Sequence, residues 1–151
     1  IDEVVQAFHA RTCDYLSNTL QPTYPDGLDV EVMSAEALRA VANSSIDPDE
    51  REHVTLGIYR HPEHFSVENY ADPSGRDNSQ LPWTVDSPDD FEFVSDVYQH
   101  LFAVNPEFEY DDVLNLLTQQ PQLSRDASHA ARNEALDGLD VGAMQHPGSS
   151  S

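Results

Sequence analysis

A carboxylate just before a predicted helix is the first residue with the chemistry of a metal ligand. Asp86 lies near the start of TVDSPDDFE, residues 84–92, at the end of a predicted strand. Carboxylates at strand ends project into the crevice where open α/β sheets bind ligands, and Mg²⁺ prefers such oxygen donors. Alternatively, Asp86 and its neighbours only place negative charge at a helix N-terminus. Local chemistry leaves both interpretations open.

A second group of carboxylates follows a turn that contains proline and glycine. The sequence YPDGLDVE covers residues 24–31, and Gly27 permits a tight turn there. In the strand predicted next, Asp29 and Glu31 are two residues apart and therefore share a face. Two such carboxylates can accept hydrogen bonds from sugar hydroxyls or hold a cation. Alternatively, they form the solvated side of an amphipathic strand.

Basic and imidazole side chains occur together in EREHVT, residues 50–55, on a helix predicted to begin at Pro48. Arg51 and Thr55 are four residues apart on one face, whereas His53 points elsewhere. Arg51 has the chemistry to bind a carboxylated or phosphorylated substrate, or it pairs with Asp47 on the helix surface. His53 is alternatively a histidine of the core.

Other reactive residue types lack the spacing of a catalytic or metal site. The HPEH sequence at residues 61–64 is too short and turn-like for the helical metal motif of metalloproteases. The single cysteine, Cys13, sits beside Asp14 with no basic residue next to it, and we interpret it as a small core residue. The sequence contains no glycine-rich phosphate loop and no nucleophile elbow.

Alternating helices and strands are predicted to position these residues. Apolar residues at helical spacing predict a helix over residues 1–10, facing the core with Ile1, Val4, Val5 and Phe8. Strands are predicted over residues 13–18, 28–33, 65–69 and 81–86, with a polar loop over 71–80.

Three further helices are predicted from their start signals. Ser34 caps a helix that ends at Ser44, with Ala37, Leu38 and Val41 inward. Asp47-Pro48 begins a helix that runs to about Tyr59. The same signature at Ser87-Pro88 begins a helix with one apolar stripe, formed by Phe91, Val94, Val97, Tyr98 and Leu101.

A last helix is predicted over residues 111–120, with Val113, Leu116 and Leu117 inward. Strands interleaved with helices indicate an α/β layered domain.

The charge balance excludes two classes of partner. The chain has 28 acidic and 7 basic residues, all of the latter arginine, for a formal net charge of −21. A field this negative repels nucleic-acid phosphates and anionic membranes. Aspartate excess without lysine fits a halophile, because molar salt screens self-repulsion; an ordinary acidic protein is the alternative.

The length and hydropathy predict one soluble domain. A chain of 151 residues with 38% hydrophobic content supports a single modest core. No stretch approaches the roughly 20 apolar residues of a bilayer span, and the N-terminus lacks the pattern of a signal peptide. We expect a cytoplasmic protein. A first helix without a preceding cap also suggests a chain cut from something longer.

Four segments together resemble the spore-coat polysaccharide cytidylyltransferases, relatives of the CMP-Kdo and CMP-sialate synthetases. The segments are DYLSN at 14–18, PTYPDGLDVEV at 22–32, EREHVT at 50–55 and WTVDSPDDFE at 83–92. The resemblance runs from about residue 1 to 117 and covers the C-terminal half of the family's fold. It implies a Rossmann-like nucleotidyltransferase fold of α/β class, a mixed sheet with flanking helices.

The resemblance also implies an activity and a set of site residues. In this family a sugar oxygen attacks the α-phosphate of CTP, and Mg²⁺ bridges the triphosphate and two aspartates. Asp86 matches the second of these aspartates and inherits the metal-ligand role. The acceptor-sugar side falls on the two other segments, with these candidate substrate-binding residues: Tyr24, Asp26, Gly27, Asp29, Glu31, Arg51 and His53.

The family's CTP-binding loop and first metal aspartate have no counterpart upstream of Ile1, and Pro82 stands where the family pattern has a basic residue. We therefore expect residues 1–123 to be the C-terminal half of a cytidylyltransferase domain, inactive alone, with Mg²⁺ bound only when the other half is present. Residues 124–137 are predicted to be a helical tail, and 138–151 to be disordered or a cloning-derived addition. We expect a homo-oligomer; the alternative function is a non-catalytic binding or assembly module.

Overall fold

A computed structural model describes residues 1–44, 47–53 and 55–124, which fall into two compact units. Among these residues the first unit comprises 1–24 and 29–77, and the second comprises 25–28 and 78–124. The tails predicted over 124–137 and 138–151 lie outside the described residues, apart from Ser124. No helix within the described ranges is long and apolar enough to cross a membrane.

The first unit has four helices and three strands among its described residues. In chain order these are α1 (Asp2–Ala10), β1 (Tyr15–Ser17), β2 (Glu31–Met33), α2 (Ala35–Ser44), α3 (Pro48–Glu52), α4 (Leu56–Tyr59) and β3 (Val67–Asn69). The second unit contains α5 (Pro88–Leu101), α6 (Tyr110–Gln119) and a 3₁₀ turn (Pro121–Leu123). The alternation of strands and helices gives the α/β class that the sequence predicts.

The sheet of the first unit is small and mixed. Its strand order is β2-β1-β3, with β1 antiparallel to β2 and parallel to β3. The register places Tyr15 opposite Met33 on one side and Val67 on the other. The central strand is buried along its whole length, because it has a strand on both sides and apolar clusters on both faces.

Successive residues of β1 point to opposite faces and contribute to separate apolar clusters. Tyr15 packs with residues of α2, α4 and β3, which are Ala37, Val41, Leu56, Ile58, Tyr59 and Val67. Leu16 packs on the other face with Val4 of α1 and with Tyr70. Helices on both faces of the sheet thus cover the strand that supports the predicted acceptor side.

The second unit is built on the contact between α5 and α6. Phe93 and Val97 of α5 pack against three buried residues of α6, which are Val113, Leu116 and Leu117. The inward face predicted for α6 is therefore confirmed. Trp83 lies at the edge of this cluster, next to the predicted metal-binding segment.

The helix predicted from Pro48 to about Tyr59 is in fact two short helices. Asp47 caps α3 by accepting a hydrogen bond from the backbone N–H of Asp49, as the Asp-Pro signature predicts. The helix ends at His53, whose φ of −106° and ψ of 85° are not helical. All four residues of α4 are buried, and Gly57 packs closely against Val41.

All four predicted strands are shorter than the sequence pattern indicates, and those predicted over 13–18 and 65–69 are reduced to β1 and β3. The strand predicted over 81–86 is reduced to one bridge residue, Pro82, which pairs with Asp26. The strand predicted over 28–33 begins only at Glu31, and its three residues pair with Tyr15–Ser17 of β1.

The predicted core faces of three helices need correction. In α1, Ile1 is exposed, whereas Val4 is buried as predicted. In α2, Leu38 is exposed while Ala37 and Val41 are buried.

In α5, Phe91 and Tyr98 are exposed, and Phe93 takes the central inward position. The inward side of α5 begins at the buried capping residue Asp90. Residues 93, 94, 97 and 101 lie on the same side of the helix as Asp90.

Candidate functional site

The second unit brings two predicted site segments together. Asp26 N–H donates to the carbonyl of Leu81 at 3.0 Å, and Trp83 N–H donates to the carbonyl of Asp26 at 2.8 Å. This parallel bridge places the turn at Asp26 and Gly27 beside the segment that leads to Asp86. The two flanking residues make both bonds, so the missing N–H of Pro82 does not interrupt them.

Gly27 is required where these two backbones meet. Its φ is +102°, a conformation that L-residues rarely adopt. A Cβ at this position would lie 2.8 Å from the carbonyl carbon of Trp83 and 2.9 Å from the nitrogen of Thr84. The glycine predicted to permit a tight turn thus also permits close packing against the Asp86 segment.

Asp86 is held by its backbone and presents its side chain to solvent. Ser87 and Asp90 form a capping box at the start of α5. The Oδ2 atom of Asp90 accepts hydrogen bonds from the N–H groups of Asp86 at 2.8 Å and Ser87 at 2.6 Å. The capping chemistry therefore belongs to Ser87 and Asp90, and the exposed carboxylate of Asp86 is not the cap.

The described residues do not build a metal centre by themselves. They contain no group of three or more His, Cys, Asp or Glu residues arranged to hold a metal ion. Mg²⁺ takes six oxygen ligands, commonly one or two carboxylates together with waters and substrate phosphates. Asp86 can supply one of these oxygens, so a complete site requires ligands from outside the described residues.

Glu31 has a specific partner in the first unit. The phenol of Tyr15 in β1 donates a short hydrogen bond to the carboxylate of Glu31 in β2. Burial, followed by the hydrogen bond and charge of Glu31, raises the pKa of Tyr15 well above its usual value, so the phenol stays protonated. Tyr15 is buried, and its contact fixes the orientation of the carboxylate.

The other predicted residues of the turn have different surroundings. Asp29 is exposed and precedes β2, so the structure does not place Asp29 and Glu31 on one strand face as predicted. The ring of Tyr24 stacks on that of Tyr70, with centroids 6.3 Å apart and planes 12° apart. Tyr24 therefore contributes part of its surface to the core of the first unit.

Arg51 and His53 are exposed at the C-terminal end of α3. The surface pair considered between Arg51 and Asp47 is not formed; Asp47 instead lies 4.0 Å from the guanidinium of Arg60. His53 is not a core histidine. Both side chains are accessible to a ligand, and in the described ranges neither takes part in an ion pair.

The DYLSN segment at residues 14–18 is largely structural. A carboxylate oxygen of Asp14 accepts a hydrogen bond from Ser66 N–H at 2.9 Å, next to β3. The amide oxygen of Asn18 accepts one from Val30 N–H at 2.8 Å, next to β2. These two side chains therefore extend the pairing of β1 with both neighbours.

Asp72 is a buried carboxylate with a cation partner, and the sequence patterns assigned it no role. Asp72 accepts hydrogen bonds from the N–H and hydroxyl of Ser74, at 2.8 and 2.6 Å, and from Arg76 at 3.2 Å. Burial alone would raise the pKa of Asp72, but the bonds from Ser74 and the charge of Arg76 outweigh it and lower the pKa. The spacing of an acid and an arginine at i and i+4 within the polar loop was the available signal.

Comparison with known proteins relates the chain to cytidylyltransferases. It is 27% identical over 122 residues to the spore coat polysaccharide biosynthesis protein SpsF of Bacillus subtilis, covering 80% of this chain and 49% of that protein. It is 26% identical over 123 residues to an uncharacterized protein of Methanocaldococcus jannaschii, again covering 49% of the relative. No family model matches the chain.

The fold matches part of a solved enzyme. A cytidylyltransferase from Leptospira borgpetersenii superposes with a TM-score of 0.73 and 25% identity, covering 82% of this chain and 51% of that one. The chain thus spans about half the length of the proteins it matches. These matches establish distant homology to SpsF and to a cytidylyltransferase structure.

Proposed function

We propose, from this distant homology, that the chain is the acceptor-sugar-binding and dimerisation half of a CTP-dependent sugar cytidylyltransferase. In the complete reaction a sugar oxygen attacks the α-phosphate of CTP, pyrophosphate leaves, and a CMP-sugar forms. The observation that supports the proposal most directly is the superposition on a solved cytidylyltransferase with a TM-score of 0.73. The name of the Bacillus relative favours a product used for surface polysaccharide.

Candidate acceptor-binding side chains occur in the first unit. In the first unit, Glu31 is oriented by Tyr15, and Arg51 and His53 are exposed. Carboxylates accept hydrogen bonds from sugar hydroxyls, and an arginine binds the carboxylate of a sugar acid. Asp29 and Tyr24 complete the proposed set in the first unit.

In the second unit, Asp26 and Gly27 lie beside the segment that carries Asp86. We assign acceptor binding to the Asp26 turn and metal binding to Asp86. When present, Mg²⁺ would neutralise phosphate charge; the role of this chain's own residues is to hold one carboxylate at the start of α5.

The 151 residues are proposed to be inactive alone. Stabilisation of a transferring phosphoryl group depends on cations and Mg²⁺ arranged around it, and the described residues offer no such arrangement. A CTP-binding segment from another polypeptide or a longer chain would supply it. The domain boundaries expected from the sequence, with residues 1–123 as this half, form part of the proposal.

Activity measurements on two samples test the proposal. The chain alone should release no pyrophosphate from CTP with eight- or nine-carbon keto sugar acids or hexose derivatives. A fusion to the part of SpsF that this chain does not match should produce a CMP-sugar. Pyrophosphate release by the chain alone would contradict inactivity. A folded fusion that binds CTP without making a CMP-sugar would favour a non-catalytic binding or assembly module.

A further inference from the structure

His61 is placed between two carboxylates that come from different parts of the first unit. Its Nε2 atom lies 3.2 Å from Oε1 of Glu50 in α3, and its Nδ1 atom lies 3.1 Å from Oε1 of Glu63. Glu50 is nearly buried, with a side chain 10% exposed, whereas Glu63 is exposed. One imidazole ring therefore joins α3 to the turn that follows α4.

This geometry requires a particular protonation state. A neutral imidazole carries one N–H, so its other nitrogen would direct a lone pair at a carboxylate. The imidazolium form has two N–H groups and can donate to both Glu50 and Glu63. The positions of the two carboxylates therefore select the charged ring.

The charged groups around the ring are few. From α3 only Glu50 faces His61, and from its own turn Glu63 and His64 do, with the two imidazole centroids 6.2 Å apart. Arg60, the preceding residue, lies 4.0 Å from Asp47 at the start of α3. The cluster is not a candidate metal site, since the described residues contain no group of three or more His, Cys, Asp or Glu side chains placed so that they could hold a metal ion.

We propose that His61 is a pH-sensitive switch: its protonated ring stabilises α3 through the contact with Glu50, and loss of the proton removes this stabilisation. The inference goes beyond the proposed function and does not depend on it. Its consequence concerns the same surface, however, because α3 carries Arg51. The order of that helix should depend on pH even in the isolated chain.

The direction of the pH dependence follows from linkage. The hydrogen bond with Glu63, and then that with Glu50, raises the pKa of His61 above its ordinary value, although burial opposes the shift. A raised folded-state pKa means that the stabilisation is fully present below the unfolded-state pKa of about 6.5. It is lost as the pH rises through the folded-state pKa.

Two measurements on the whole chain test this pH-sensitive switch. Proton–nitrogen NMR of the imidazole rings should give a His61 pKa that falls in Glu63→Gln and in Glu50→Gln. Hydrogen exchange should show the amides of α3 losing protection relative to those of α2 as the pH rises through the His61 pKa. The change expected in the opening equilibrium is about threefold, less than the tenfold of one full pKa unit because the ring is partly solvated.

A matched control removes the same charge from the same helix. Glu52→Gln, on an exposed residue of α3, should leave the His61 pKa within error of the wild-type value. His61→Gln should remove the pH dependence of α3 protection, with exchange at low pH resembling that of the wild type at high pH. If Glu50→Gln does not fold, the exposed Glu63→Gln still tests the pKa. A His61 pKa that neither glutamate affects, or α3 protection that tracks α2 at every pH, would overturn the proposal.

Discussion

Several carboxylates with fixed positions in this structure accept their hydrogen bonds largely from neutral donors. Glu31 accepts from the phenol of Tyr15, Asp90 from two backbone N–H groups, and Asp72 from both donor groups of Ser74. Only seven arginines are available for 28 acidic residues. Hydroxyl and amide donors therefore stabilise the carboxylates that the structure has to fix, whereas Asp86 stays exposed.

Because Asp86 is exposed, a substitution there can test its proposed metal role with little effect on stability. In an active fusion with the unmatched part of SpsF, Asp86→Asn should lower CMP-sugar synthesis at limiting Mg²⁺ by at least about 100-fold, because the metal loses a charged ligand. The melting temperature should stay within about 2 °C, since Ser87 and Asp90 make the cap.

The matched variant for comparison is Asp89→Asn, which removes an exposed acid from the same helix start. It should retain near-normal synthesis. Equal activity of the Asp86→Asn fusion and the unmodified fusion would show that Asp86 is not a ligand.

The ionised carboxylate of Asp72 stabilises the fold, and protonation of that carboxylate at low pH removes the stabilisation. Its lowered pKa means that the contribution is present above the unfolded-state pKa of about 3.9 and is lost as the pH falls through the folded-state pKa. Asp72→Asn should destabilise the fold by about 1–2 kcal/mol at pH 7 in urea unfolding, mainly through the bonds from Ser74.

That difference between Asp72→Asn and the wild type should shrink as the pH falls through the folded-state pKa of Asp72, because the wild-type carboxylate then becomes neutral as well. Glu36→Gln, which removes an exposed charge from α2, should change stability by less than about 0.5 kcal/mol. A difference for Asp72→Asn that persists unchanged at low pH would mean that its charge is not what stabilises the loop.

At the scale of elements, the bridge between the Gly27 turn and the Trp83 segment requires a residue without a Cβ at position 27. Gly27→Ala should cost the second unit about 2–4 kcal/mol, because a positive φ and backbone clashes add together. The fluorescence of Trp83, the single tryptophan, reports unfolding at this site.

Gly75→Ala provides the control for Gly27→Ala. Gly75 also has a positive φ, of +76°, but a Cβ there would have no neighbour within 4 Å. Backbone strain alone should then cost about 1–2 kcal/mol. Equal effects at the two glycines would contradict the close packing of Gly27 against Trp83.

Starts of helices were predictable from sequence because capping is local chemistry. Asp47-Pro48 and Ser87-Pro88 each place the cap and the first helical residue correctly. Strand lengths were not predictable, since the start of β2 at Glu31 is defined by its pairing with Ser17, a residue of another segment. The break between α3 and α4 accompanies the burial of α4, where Gly57 packs against Val41, and a contact of this kind leaves no local signal in the sequence.

The sequence indicated which residue types belong to the candidate site, but it did not indicate how their side chains are arranged in space. The turn at Gly27 and the position of Asp86 beside a helix start were both inferred correctly from sequence. The contact of Asp26 with Trp83 and the bond from Tyr15 to Glu31 join distant segments, so periodicity could not reveal them. The capping role considered for Asp86 belongs to its neighbours Ser87 and Asp90.

At the scale of the whole molecule, the net charge of −21 predicts a dependence on salt. The melting temperature should rise between low salt and molar KCl, because a Debye length of about 3 Å screens repulsion among the acidic side chains. Calorimetry at constant pH measures this. A melting temperature that stays level or falls would contradict adaptation to high salt.

The proposed dimerisation predicts an assembly larger than one chain. Phe91 and Tyr98 of α5 and Phe102 just after it are each at least half exposed, and among the described strands β2 and β3 have a neighbour on one side only. Apolar side chains and strand edges of this kind favour association. Light scattering in high salt should give at least twice the mass of 16.8 kDa; a monomer at high concentration would contradict the proposal.

The parallel pairing of β1 with β3 has a consequence for the order in which the first unit folds. Tyr15 meets Met33 across a chain segment of fewer than 20 residues, but meets Val67 across roughly 50. Closing the longer loop costs about 1 kcal/mol more in chain entropy, and pairing between distant segments slows folding. We therefore expect β3 to join the sheet last and to detach first, so that partial unfolding begins at the edge occupied by Val67–Asn69.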